Sequence, residues 1–155
     1  MTKLRVEYFN RHIDIGLGNR GCVIVGDSGS GKSYFVRTLK NLQKTPFYVS
    51  YSTYPLEDIV IWNKKHEVDT SISNKLIIID RFSLLRSDEL DRFVKESDNK
   101  FILISHDYKF TRPEGFIELL LKFNKDTGNF DTRLVQLTNY FRITPGEEVL
   151  KELGW

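Results

Sequence analysis

At 155 residues with a formal net charge of +2, the chain has the length of a single domain and enough residues to bury a hydrophobic core without disulfides. Its 40% apolar and 28% charged content is that of an ordinary globular protein, and the near-balanced charge excludes any partner argued from charge alone. The lone cysteine, Cys22, excludes an intramolecular disulfide and a multi-cysteine zinc site, and inside an apolar run it reads as a small buried thiol. No apolar run is long enough to span a bilayer and the first residues carry no hydrophobic signal core, so no membrane partner is expected and the expected location is cytoplasmic.

Residues 4–15 alternate as a strand pair would, with Leu4, Val6 and Tyr8 before a turn at Asn10-Arg11-His12, and Ile13 and Ile15 after it. Cys22-Val23-Ile24-Val25 predicts the first core strand. From Lys32 to about Gln43, Phe35, Val36, Leu39 and Leu42 recur at helical spacing. Residues 47–51 predict a strand opened by Pro46, and residues 55–62 a helix with Pro55 in its first turn. The continuous apolar run 75–80, ending in Asp80, suits a central parallel strand covered on both faces. Ser87 is the expected N-cap of the next helix, and residues 100–106 form another buried strand ending in Ser105 and His106. Strands and helices thus alternate over 22–106, the pattern of a parallel α/β sheet. Further on the pattern weakens. Residues 117–138 are read as a hairpin turning at Asp126-Thr127-Gly128-Asn129, in preference to a helix and a strand, and residues 147–153 as a terminal helix.

Gly26-Asp27-Ser28-Gly29-Ser30-Gly31-Lys32-Ser33 fits G-x-x-x-x-G-K-S/T at every fixed position, between an apolar run and a helical one. In that setting successive backbone N–H groups surround phosphate oxygens, and glycine allows the close approach. The following helix points its N-terminus at the anion. Lys32 reaches the β- and γ-phosphates and the Ser33 hydroxyl ligates Mg²⁺; Tyr34 completes the candidate nucleotide-contacting set. Asp80, at the end of its apolar strand, has the position of a carboxylate that holds Mg²⁺ through water. Ser105 and His106 end the next strand, where ligands of open α/β sheets sit.

The glycine loop, the strand ending in Asp80 and the segment Ile104-Ser105-His106-Asp107 resemble a minimal P-loop NTPase of the ABC/AAA-like (ASCE) kind. In ABC-type ATPases a strand after Walker B ends in a similar Ser/Thr-His-Asp, whose histidine senses the γ-phosphate. The resemblance covers residues 4–107 at the level of motifs. It implies one three-layer P-loop NTPase domain over residues 1–155, with a mainly parallel central sheet ordered 5-1-4-3-2 and an N-terminal antiparallel strand pair. It also implies ATP or another NTP with Mg²⁺ as ligand, and an ATPase whose Lys32, Asp80, Ser105 and His106 act on the phosphates.

The chain departs from that family in two ways. No LSGGQ-type signature lies between Ser33 and Asp80, and Arg81 stands where a water-orienting Glu normally follows the Walker B Asp. A cation cannot serve as that base. Glu57 and Glu89 are the acids weighed as substitutes, although each reads more simply as a helix-start or surface acid. Three activities compete: slow or partner-stimulated ATP hydrolysis driving a switch, a thymidylate-kinase-like phosphotransferase suggested by Asp80-Arg81-Phe82, and a nucleotide-binding module with negligible turnover. The kinase lacks an arginine-rich lid, with only Arg112, Arg133 and Arg142 after His106. An arginine finger is sought among Arg81, Arg86 and Arg112. A protein partner or a homo-oligomer is expected. Nucleic acid is weakly supported, because Lys3, Arg5, Arg11 and Arg20 beside Tyr8 and Phe9 read first as a solvated face.

Overall fold

The computed structural model describes residues 3–25, 31–105, 112–135, 137–138 and 141–142. The chain begins with a hairpin of β1 (Lys3–Tyr8) and β2 (Arg11–Gly16), in register from Lys3↔Gly16 to Tyr8↔Arg11. Its two-residue turn places Phe9 and Asn10 at φ 49° and 58°, the left-handed geometry whose twist suits paired strands. β3 (Gly21–Val25) is buried at every residue and leads towards α1 (Lys32–Lys44). A 3-10 turn at Pro46–Tyr48 precedes β4 (Val49–Ser52), and another at Leu56–Asp58 precedes β5 (Ile59–Trp62). β6 (Leu76–Ile79), α2 (Phe82–Leu85), α3 (Asp88–Glu96) and β7 (Lys100–Ile104) follow. Ser87 caps α3, its side chain accepting the Leu90 N–H. β8 (Phe116–Asn124) and β9 (Asn129–Leu134) form the hairpin read for this part of the chain. β10 (Leu137–Thr138) and β11 (Phe141–Arg142) pair with each other.

β1 to β9 make one mixed sheet, ordered β4-β1-β2-β9-β8-β3-β7-β6-β5. The strands β8, β3, β7, β6 and β5 run parallel. Alternate residues of β3 feed two clusters, one on each face. Cys22 and Ile24 pack with Phe35, Val36, Leu39 and Leu42 of α1. Val23 and Val25 share the other cluster with Phe82, Leu85, Leu90 and Phe93 of α2 and α3. Each fully buried side chain of this size contributes about 1.5–3 kcal/mol relative to exposure. β4, β1 and β2 are antiparallel neighbours, and β9 joins them through one parallel pairing, Ile13↔Phe130. Leu4, Val6, Tyr8, Ile13, Ile15 and Phe130 enter the same cluster as α1. The sheet thus curls around that helix as a half-barrel.

This architecture corrects the expected three-layer α/β P-loop fold with a mainly parallel sheet ordered 5-1-4-3-2. The protein is a nine-stranded mixed half-barrel, 40% strand and 29% helix. The cause lies largely between α1 and β6. Residues 55–62, read as a helix from Pro55, are a 3-10 turn and a strand, because the β-branched residues Ile59, Val60 and Ile61 are stiff at χ1 and suit a pleated surface. Residues 47–51, read as a strand, begin as a 3-10 turn, and β4 then joins the antiparallel side. This stretch thus supplies both edges of the sheet, where a crossover helix was expected. Among the described residues no helix is long and apolar enough to cross a membrane. The helix read at 147–153 lies outside the described residues.

Candidate phosphate-binding site

Of the glycine-loop pattern, Gly26, Asp27, Ser28, Gly29 and Ser30 lie outside the described residues, and Gly31, Lys32, Ser33 and Tyr34 lie within them. Gly31 caps α1 in the left-handed region, at φ 102° and ψ 2°. A Cβ there would stand 3.1 Å from Phe123 Cβ, so both conformation and space call for glycine. The Gly31 carbonyl accepts the first helical bond, from the Phe35 N–H at 2.8 Å. Lys32 follows and is 2% exposed, whereas Ser33 is exposed. No acid occupies the first turn of α1. The Tyr34 ring packs edge-on to Phe123 at 4.8 Å and lies 5.5 Å from Phe130, with the Arg37 guanidinium 5.6 Å from its centre. Those contacts hold Tyr34 against the β8–β9 hairpin.

Asp80 and Ser105 lie on the carboxyl edge of the parallel strands, the edge on which β3 ends before the loop. Ser105 is fully buried, and its N–H donates to the Ile24 carbonyl at 3.0 Å. Asp80 is 8% exposed, and its N–H donates to the Trp62 carbonyl at 2.8 Å. The pairings Ile79↔Leu103 and Ile24↔Ile104 put Asp80 one register position behind Ser105 on the neighbouring strand. With β7 between them, β6 and β3 are about 10 Å apart. Among the described residues no hydrogen bond or ion pair engages the Asp80 carboxylate. His106 lies outside the described residues.

Glu57 does not join this edge. It is exposed, in the turn that precedes β5, and its neighbour Asp58 pairs at 2.6 Å with Lys75, just before β6 begins. That is the amino edge, and the length of β6, about 13 Å, separates it from Asp80. Glu89 is exposed at the start of α3, where its Oε1 accepts from the Thr70 hydroxyl at 2.9 Å. Glu67, an acid not weighed from the sequence, is held next to the carboxyl edge. Asn63 follows Trp62 at the carboxyl end of β5, beside Asp80, and its backbone N–H donates to Glu67 Oε1 at 3.0 Å. With the Asn63 amide turned to satisfy both neighbours, it also donates to Glu67 at 2.6 Å and accepts from Lys40 Nζ at 3.0 Å. Reading Ile59-Val60-Ile61-Trp62 as a strand would have pointed to the residues just after it.

The candidate cations also separate. Arg86 Nε donates to both carboxylate oxygens of Asp91 (2.9 and 3.0 Å), and its guanidinium lies 5.7 Å from the Phe82 ring centre. Arg112 donates to the Phe116 carbonyl at 3.3 Å. Arg81 is exposed, and no hydrogen bond or ion pair among the described residues engages its guanidinium. Near the N-terminus, Arg5 bonds Asp14 at 2.7 Å and Glu7 at 3.2 Å, while Arg20 donates to the Val94 and Ser97 carbonyls. The basic face there is largely engaged within the protein. Cys22 is fully buried, and burial pushes its thiol well above the ordinary range, so it is an unreactive core residue.

No protein-family model matches the chain.

Proposed function

We propose that this chain binds a magnesium-bound nucleoside triphosphate, ATP in the first instance, at the carboxyl edge of its parallel strands. It hydrolyses the nucleotide slowly or under stimulation by a partner, and occupancy drives a conformational switch. One observation carries the reading: Gly31-Lys32-Ser33 of a complete G-x-x-x-x-G-K-S pattern opens α1 beside the edge where Asp80 ends its strand with a carboxylate that no described residue pairs.

Ser33 and Asp80 are the residues that would hold Mg²⁺, which when bound neutralises charge on the β- and γ-oxygens. Lys32 places its ammonium on the phosphates, and the N–H groups at the start of α1 face the same anion. Ser105 holds the end of β7 against β3. Glu67, held by Asn63 next to Asp80 on the neighbouring strand, takes the water-orienting role weighed for Glu57. The partner is a second protein or a second copy of this chain. The kinase alternative keeps one observation in its favour, the exposed Arg81 directly after Asp80.

The test is thermal stabilisation by Mg-ATP in the parent chain and in Lys32→Ala. The parent should gain about 2.7 kcal/mol at a hundredfold excess over Kd, and Lys32→Ala should gain nothing. Stabilisation retained in the variant would end the phosphate-loop reading. Phosphate release measured with and without nucleoside acceptors separates the activities, because ADP formation that requires an acceptor belongs to the kinase.

A further inference from the structure

Arg81 is held at φ 55° and ψ 45°, left-handed backbone that a residue with a Cβ adopts only at a cost. The turn has a clear structural purpose. It reverses the chain after β6, so that Phe82, 1% exposed, enters the cluster beneath α2 and α3, and the Arg81 carbonyl accepts the N–H groups of Leu84 (2.8 Å) and Leu85 (3.3 Å). Glycine or asparagine would serve this turn with less strain. The Arg81 side chain is exposed, and among the described residues no hydrogen bond or ion pair engages its guanidinium. The two other arginines weighed for a phosphate role are engaged, Arg86 by Asp91 and Arg112 by the Phe116 carbonyl. The strained, unengaged arginine is also the one that follows Asp80.

We propose that Arg81 is a nucleotide-contacting residue that binds the terminal phosphate of the triphosphate held by the glycine loop, and so distinguishes ATP from ADP in the same chain. The inference rests on the nucleotide-binding reading above. The reach is adequate: β6 lies about 10 Å from β3, and Arg81 leaves the edge one residue past Asp80, the carboxylate that would hold the magnesium of the same triphosphate. The planar guanidinium offers paired donors to phosphate oxygens. The left-handed turn fixes the backbone from which this cation leaves the edge beside Asp80.

The experiment compares the parent chain with Arg81→Gly and Arg81→Lys, measuring melting temperature and, by calorimetric titration, the Kd values of Mg-ATP and Mg-ADP. Arg81→Gly should melt at or up to about 3 °C above the parent, because the turn loses its strained Cβ. The same variant should bind Mg-ATP about tenfold or more weakly, with Mg-ADP changed less than about twofold. Arg81→Lys should recover part of the ATP affinity. Equal losses for both nucleotides, no loss, or a melting temperature several degrees lower would overturn the proposal, as would a loss seen only when a nucleoside acceptor is present. Failure of the parent itself to bind either nucleotide would remove the underlying reading instead, and the proposal with it.

Discussion

The parallel strands and the antiparallel wall solve the same packing problem with different sequences. β3, β6 and β7 are apolar at nearly every position and are covered on both faces. β1 and β2 are apolar at alternate positions: Leu4, Val6, Ile13 and Ile15 turn inward, while Lys3, Arg5, Glu7 and Asp14 stay on the outer side, linked by ion pairs. In β3, β6 and β7 the polar residues fall where the strand ends, and that is where Asp80 and Ser105 sit. A strand with one buried face can carry polar groups along its length, and the wall uses them on its surface. The difference explains why the candidate chemistry collects at one edge of the parallel half, while the wall's contribution is to close the core around α1.

Three substitutions test that division, beginning with the largest effect. Gly21 opens β3 against β7, and a Cβ there would lie 1.9 Å from the Phe101 carbonyl oxygen. Gly21→Val should therefore cost more than about 4 kcal/mol, seen as loss of a cooperative urea transition; a cost below about 1 kcal/mol would mean that β3 and β7 can separate freely. Phe130 is 1% exposed where β9 meets β2. Phe130→Ala should cost about 3–5 kcal/mol by urea denaturation. A much smaller value would show that the wall contributes little to the shared core.

The smallest effect is confined to alkaline pH. Burial raises the Tyr8 hydroxyl from its ordinary value of 10 to about 12, against a weaker opposing pull from Arg11. The unfolded chain then releases this proton first, so the native state binds more protons between pH 10 and 12, and stability falls as pH rises through that window. Tyr8→Phe should remove this part of the alkaline loss, read as a flatter dependence of the urea midpoint on pH, and leave the profile below pH 9 parallel to the parent's.

The local elements of both halves were legible in the sequence to different depths. The runs at Cys22–Val25, Leu76–Ile79 and Phe101–Ile104 could be read as buried strands, because continuous apolar residues between polar flanks have few other uses. The alternation from Leu4 to Ile15 encodes its hairpin, and Asp126-Thr127-Gly128-Asn129 marks the turn between β8 and β9. The whole architecture was not legible. The pairing of Ile13 with Phe130 joins segments from opposite ends of the chain, and no local pattern announces it. Residues 55–62 carry a helix-like start at Pro55 and a strand-like run at Ile59-Val60-Ile61, and tertiary placement decides between them. Glu57 was weighed for its place after the run at 47–51, and it lies on the amino edge, while the unread strand at 59–62 left Glu67 unweighed. The start of α1 at Lys32 and the strand ends before Asp80 and Ser105 were readable because apolar periodicity begins or stops there. The state of Arg81 was not, because left-handed backbone at a residue other than glycine leaves no mark in sequence.

The order of the strands has a consequence for synthesis. β3 sits between β7 and β8, and both are made after most of the chain has emerged. Until then Gly21-Cys22-Val23-Ile24-Val25 is an apolar segment with two open edges, the kind of stretch that seeks other chains. Its pairing must also close long loops, which slows folding. The chain writes the glycine loop early and assembles the edge it belongs to late, so a nascent or truncated molecule that ends before β7 would carry the motif without the strands that flank it.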